Sequence, residues 1–197
     1  MPFCPTNCGL TGLPPLALNP CRPLPRPGGI HRLVFATCAA VPADLQNTAQ
    51  WLSGIQACQI RISGDLLGEK PAPTVARKRI SSCLPELVVA KTHTIKFTDY
   101  QHDPDTQTDH TFWCTVEQQA VGLRVGFFGC DGYFYGFYPC ALELADIKQD
   151  TAQGTSHLEG TLTIESLCAL MPHRLPPDVF EALVGHQNHT CPPTPAE

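Results

Sequence analysis

The stretch "ELVVAKTHTIKFTDY" (86–100) carries the strongest β-strand signal in the chain. It is rich in valine, isoleucine and threonine, whose branched side chains suit the pleated surface of a sheet. At this length a single strand can cross a whole sheet. The stretch therefore predicts a fold that is organised around a large β-sheet.

Strand patterns also occur on both sides of this stretch. Residues 30–37 alternate with the period of two that is typical of a pleated strand, and 58–64 give a shorter candidate. Further strands are predicted at 111–118, 121–128, 133–138, 140–147 and 157–167. Helices are predicted at 42–55 and 177–185. The predicted class is mainly β: a β-sandwich or partly closed barrel with one or two short helices.

The chain has 197 residues, which is enough for one domain with a proper core. We place that domain at 29–185, with long loops at 65–85 and 101–110. Proline is concentrated in residues 1–28 and recurs in 186–197. Because proline lacks the N–H group that helices and central strands need, these ends are predicted to be an extended arm and a tail.

The stretch "GFFGCDGYFYGFYPC" (126–140) holds seven aromatic residues. Asp131-Gly132 predicts a tight two-residue turn with positive φ angles, which would join two strands as a hairpin. Strict alternation would then place Tyr133, Tyr135 and Phe137 on one face and Phe134 and Tyr138 on the other. Both faces of this hairpin are therefore expected to be covered.

Composition excludes some classes of protein. Charged residues make up only 16% of the chain, against about 25% in typical soluble domains, so much of the surface is expected to be covered by partners. The net charge of -5 argues against a nucleic-acid binder, and the basic run at 77–79 is too short to change that. No segment approaches the ~18 apolar residues of a membrane span, and no signal peptide is visible.

The eleven cysteines do not have the spacing of a strong metal motif. Cys4 and Cys8 lack a second close pair, so zinc would need Cys21, Cys38 or a histidine. Without a secretory signal, most of the cysteines are predicted to act as small buried hydrophobes in a reducing cytosol. Cys130 and Cys140 flank the aromatic strand and are expected to stay reduced there. No metal site is predicted.

Motifs for catalysis are also missing from the sequence. His102 and His110 bracket an acidic loop that has the composition of hydrated turns. No P-loop, nucleotide-binding glycine fingerprint, HExxH or GxSxG motif occurs. The sequence therefore predicts neither an enzyme nor a cofactor. The alternative from another class is a small cysteine-rich binding module, with or without a metal.

Three segments resemble a known group of proteins. They are "PLALNPCRPLPRPGGIHRLVFATC", "SSCLPELVVAKTHTIKFTDYQHD" and "LRVGFFGCDGYFYGFY…LELADIKQDTAQGTSHLEGTLTIES". In this order they resemble parts of the structural proteins of tailed phages that infect Bacteroidota-type hosts, over roughly 21–40, 81–102 and 121–166. Within that group the chain is most similar to a tail tube protein.

The resemblance implies a sandwich or partly closed barrel with a flanking helix, assembled as stacked hexameric rings around a DNA channel. The implied partners are further copies, other tail or neck proteins, and passing DNA that is not bound specifically. The implied location is the virion tail, assembled in the host cytoplasm. Another ring-forming or head-decorating virion protein is the alternative. In the tube proteins a longer helix precedes the hairpin, but "TVEQQAVG" (115–122) is predicted to leave little room for one.

The resemblance also assigns roles to residues. In a ring, the aromatic hairpin would bury one face in its own sandwich and the other against a helix or a neighbour. The arm at 1–28 and the loop at 65–85 would reach the next ring. The candidates for subunit contact are Phe134, Tyr135 and Tyr138, and those for the channel wall are Glu143, Asp146 and Asp150.

Overall fold

The structure is a computed structural model that describes residues 29–79, 86–101, 107–145, 148–149 and 156–185. Its strands are β1 (Ile30–Thr37), β2 (Ile60–Ile62), β3 (Leu67–Glu69), β4 (Thr74–Lys78), β5 (Leu87–Asp99), β6 (Leu123–Gly129), β7 (Phe134–Tyr138), β8 (Cys140–Leu144), β9 (Lys148–Gln149), β10 (Ser156–Ser166) and β11 (Pro172–His173). Its helices are α1 (Thr48–Gln56), α2 (Gln107–Gln118) and α3 (Pro177–Gly185), with a 3₁₀ turn at Ala120–Gly122.

The strands form one antiparallel sheet. Its main path runs β11-β7-β6-β1-β3-β5-β10-β8, and β2, β4 and β9 pair with β1, β5 and β10 respectively. The long strand predicted at 86–100 is confirmed as β5. It pairs with β10 from Asp99, opposite Leu158, to Lys91, opposite Ser166. On its other edge β5 pairs with β3 and then β4.

The sheet curls around an inner core. Phe127 of β6 and Leu142 of β8 share this core, although their strands lie far apart in the strand order. The described strands do not close into a barrel by hydrogen bonds, and at the outer edge of β8 the Leu144 N–H donates to Glu117 Oε1 of α2 at 2.8 Å. The mainly β, sandwich-like class is thereby confirmed.

A second, outer core lies on the opposite face of β1, β2, β6 and β7, beneath α1 and α3. Strand β1 serves both cores, since Leu33 and Phe35 face inward while Val34 and Ala36 face the helices. The first helix begins later than predicted, at Thr48, where the Asn47 side chain accepts hydrogen bonds from the first N–H groups.

The strand predicted at 111–118 is wrong, because these residues belong to α2. Trp113, Val116 and Ala120 all enter the inner core, and their spacing of three and four residues is that of a helix face. Trp113 stacks on Phe97 at 5.4 Å and donates its indole N–H to Asp99 at 3.3 Å. The helix thus fills the opening of the curled sheet.

The two predicted loops also need correction. The region 65–85 contains β3 and β4, and α2 begins inside the region 101–110. The described residues therefore hold three helices rather than one or two. Strand β1 and helix α3 have the predicted bounds. The arm at 1–28 and the tail at 186–197 lie outside the described residues.

Candidate functional site

The aromatic hairpin forms, but its turn differs from the predicted one. The Gly132 N–H donates to the Gly129 carbonyl at 3.0 Å, and the Gly129 N–H donates to the Tyr133 carbonyl at 2.9 Å. Gly132 has a φ of 76°, whereas Asp131 does not have a positive φ. The loop is therefore a three-residue turn that ends in a left-handed glycine. Asp131 completes it by accepting a hydrogen bond from the Tyr133 N–H at 3.1 Å.

A β-bulge redistributes the aromatic side chains. The pairing of β6 with β7 shifts register between Val125 and Phe127, opposite Gly136 and Phe137. Because one extra residue reverses the alternation, Tyr135 faces the inner core and Phe137 the outer core. The prediction that these two side chains share a face is wrong.

The three candidates for subunit contact all pack within the chain. Phe134 is fully buried and packs edge-to-face against Trp51 with ring centres 5.5 Å apart. Tyr135 is half-buried and stacks on Phe127 at 4.8 Å. Tyr138 is half-buried at the rim of the inner core, and burial raises its pKa. The aromatic content of the hairpin is thus explained by two intramolecular cores.

A groove with a volume of about 480 Å³ lies beside the hairpin turn, lined by Gly29, Cys130 and residues 66–71. The Lys70 ammonium lies in its wall, 4.3 Å from the centre of the Tyr135 ring. Burial lowers the pKa of Lys70, and Asp131 partly opposes that effect. The groove therefore presents a cation that is held against an aromatic face.

His93 of β5 is buried at the end of the inner core nearest to β4. Neither of its ring nitrogens has a hydrogen-bond partner of normal geometry. Burial lowers the pKa of His93, and the charges of Lys70 and Lys91 lower it further, while the backbone of Cys168 has a smaller opposite effect. At neutral pH the imidazole is therefore uncharged.

The cysteines differ from the expectation of buried thiols. Cys58 is disulfide-bonded, and the five described free thiols are exposed or half-buried: Cys38, Cys114, Cys130, Cys140 and Cys168. Burial raises the pKa of the Cys140 thiol to about 11, so it is protonated and unreactive. No group of three potential metal ligands occurs among the described side chains, and Cys4, Cys8 and Cys21 lie outside them.

The outer face of the sheet is left uncovered by the described residues where β3, β5, β10 and β8 lie side by side. No described helix covers it, and its side chains are mainly threonines at half-buried or exposed positions: Thr92, Thr94, Thr98, Thr161 and Thr163. It also carries Leu67, which is 66% exposed, together with four glutamates and one lysine: Glu69, Glu143, Glu159, Glu165 and Lys96. Glu143, a candidate for the channel wall, lies on this acidic face, whereas Asp146 and Asp150 lie outside the described residues.

Strand β4 and the first residues of β5 form a two-stranded ribbon that leaves the core. Every residue of β4 is exposed. In β5, Leu87 is 50% exposed, and Val88 and Val89 are each 44% exposed. The ribbon thus presents apolar side chains to solvent from both of its faces.

Sequence reasoning missed this ribbon, because a glycine, three prolines and a basic run favoured a loop at 65–85. A signal was available in "LVVAKTH" (87–93), in which consecutive apolar residues begin the strand and alternation follows. The apolar start reads equally well as a buried strand, and only the packing of the chain shows that nothing covers it.

No described helix is both long and apolar enough to span a membrane. In comparisons with known proteins, no family model matches the sequence, and neither a curated protein nor a solved structure gives a significant match.

Proposed function

We propose that this chain is a structural virion protein of a tailed phage that assembles into rings around a channel, as in a tail tube. The observation that carries the proposal is the ribbon of β4 and β5, which exposes apolar residues on a strand pair that leaves the core. Exposed apolar surface of this kind marks an interaction site, and strands add readily to free sheet edges.

The acidic face supports the channel part of the proposal. A passage for DNA should not hold phosphates, and the bare face offers four glutamates against the single Lys96. The hydroxyl and carboxylate groups of this face need no cover by protein, because water can satisfy their hydrogen bonds. Glu143 is the residue that we assign to the channel wall, and other tail or neck proteins are the further proposed partners.

Helix α2 adds to the resemblance with tube proteins. A helix before the hairpin is a feature of those proteins, and α2 supplies one of 12 residues at Gln107–Gln118. The proposed role is structural and involves no catalysis. Its location would be the virion tail, after assembly in the host cytoplasm.

The test is the mass distribution of the purified chain, with negative-stain images of the heaviest fraction. Rings or striated tubes with a central hole are the expected result, formed by the chain alone or after addition of a tail-tip complex as a nucleus. A chain that stays unassembled even on the tail-tip complex would overturn the proposal.

A further inference from the structure

Strand β10 ends before it reaches the residues that begin β5. The Ser166 hydroxyl donates a hydrogen bond to the Cys168 carbonyl at 2.6 Å, which turns the chain away from the sheet. Pairing between β10 and β5 therefore stops at Lys91. Beyond that point, no strand of the described part of the chain pairs with this edge of Leu87–Ala90.

The two edges of the ribbon differ in how open they are to pairing. Strand β4 carries the charged residues Arg77 and Lys78. Charged side chains are one of the features by which natural sheets block the pairing of edge strands. The opposite edge, "LVVA" at 87–90, has neither charge nor proline, and Val89 within it is the extra residue of the bulge between β5 and β4.

Further apolar side chains lie at the end of β10. Leu167 is 71% exposed and follows Ser166 directly, and Met171 is 64% exposed. Because Ser166 pairs with Lys91, Leu167 lies at the beginning of the open edge. A strand that continued the line of β10 along this open edge would contact Leu167 and cover the apolar side chains of the ribbon.

The segment around this edge, "ELVVAK" (86–91), is complementary to itself. In an antiparallel arrangement of two copies, Val88 of each copy lies beside Val89 of the other. Each Glu86 then lies at the end where the other copy has Lys91, so opposite charges meet at both ends. The segment has an acid at one end, a base at the other and no charge between them, so a second copy of the same segment matches it.

We propose that two free copies of this chain pair through the Leu87–Ala90 edge, in an antiparallel contact with two-fold symmetry. In such a contact the same surface serves both copies. The proposal rests on the ribbon being the assembly surface of the proposed function. It describes the protein before rings form, when the ribbon would be covered by a second copy.

The pairing is tested by sedimentation of the full chain and of two variants that carry charges of opposite sign. Val88→Lys/Val89→Lys places like charges opposite each other across the two-fold axis, and Val88→Glu/Val89→Glu does the same with acids. We expect wild-type dimers and a weakening of self-association by at least about tenfold in each variant. A mixture of the two variants should form dimers again, because each lysine then faces a glutamate.

Leu67→Lys is the control, because Leu67 lies on β3 opposite Thr98, away from the proposed contact, and is 66% exposed. It should leave the dimer intact. A wild-type chain that remains monomeric would overturn the pairing, as would self-association that the lysine variant does not weaken or that the mixture does not restore. Assembly on the tail-tip complex is a separate readout, so failure of the pairing and failure of the tube function are distinguishable.

Discussion

The aromatic hairpin of β6 and β7 and the ribbon of β4 and β5 are both antiparallel strand pairs rich in apolar residues. The hairpin is covered on both faces, by the inner core and by α1 and α3. The ribbon exposes Leu87, Val88 and Val89. Apolar content therefore does not distinguish a strand pair that stabilises the fold from one that is available for association. The difference lies in whether a helix or a curled sheet reaches it.

The largest expected effect lies in the hairpin. Phe134→Ala should lower the free energy of unfolding by about 3–5 kcal/mol, because it removes a fully buried ring from the outer core. Urea unfolding followed by tryptophan fluorescence measures this, since Trp51 packs on Phe134. Val75→Ala in the ribbon is the comparison. Equal losses in the two variants would contradict the distinction between the two regions.

Close packing of the hairpin gives the next effect. A Cβ atom at Gly126 would lie 2.3 Å from Cζ of Phe134 and 3.0 Å from the Tyr135 carbonyl oxygen. Gly126→Ala should therefore cost about 1–3 kcal/mol of unfolding free energy. Gly122→Ala is the matched control, because no atom lies within 4 Å of its Cβ position. A neutral Gly126→Ala would show that the ring moves freely.

The free energy of unfolding should depend on pH, in part through His93, which lies where the ribbon meets the core. The folded state lowers the pKa of His93 and of His31 below the usual value of about 6.5, so below that pH the unfolded state binds more protons. The free energy of unfolding should fall as the pH decreases from 7 to 5. Unfolding curves across this range should show a smaller decrease for His93→Leu. An unchanged decrease would exclude His93 as a source.

The smallest expected effect is on the ribbon itself. We expect Leu87→Thr and Val89→Thr each to change the unfolding free energy of the dilute chain by less than about 0.5 kcal/mol. The reason is that both side chains are about half exposed to solvent. Chemical denaturation at a concentration well below that of self-association is the measurement. A loss comparable with that of Phe134→Ala would mean that the ribbon belongs to the folding core.

The strands with unambiguous local patterns could be predicted from the sequence. Branched residues define β5, alternation defines β1, and Pro177 marks the start of α3. Helix α2 was missed because the threonine and aromatic residues within it favour strands, although Trp113 and Val116 have helical spacing. The bulge in β7 at Gly136 and Phe137 was also missed, because one inserted residue leaves no mark in a pattern of aromatic residues.

The candidate site was predicted less well than the fold. Glu143 lies on an exposed acidic face, whereas Phe134 is fully buried within its own chain. The ribbon depends on where β10 stops, and a single hydrogen bond between Ser166 and Cys168 accompanies that stop. Long-range geometry of this kind cannot be read from the composition of the ribbon.

The connectivity of the ribbon has a consequence for the order of folding. Its strands are near neighbours in the chain, with Lys78 opposite Leu87, whereas β1 must find β6, with Ile30 opposite Gly129. Local pairings form faster than distant ones, because less loop entropy is lost. We expect the ribbon to form while the core is still open. Nascent chains at high concentration would then meet first through this segment, and slow, dilute refolding should give the higher yield.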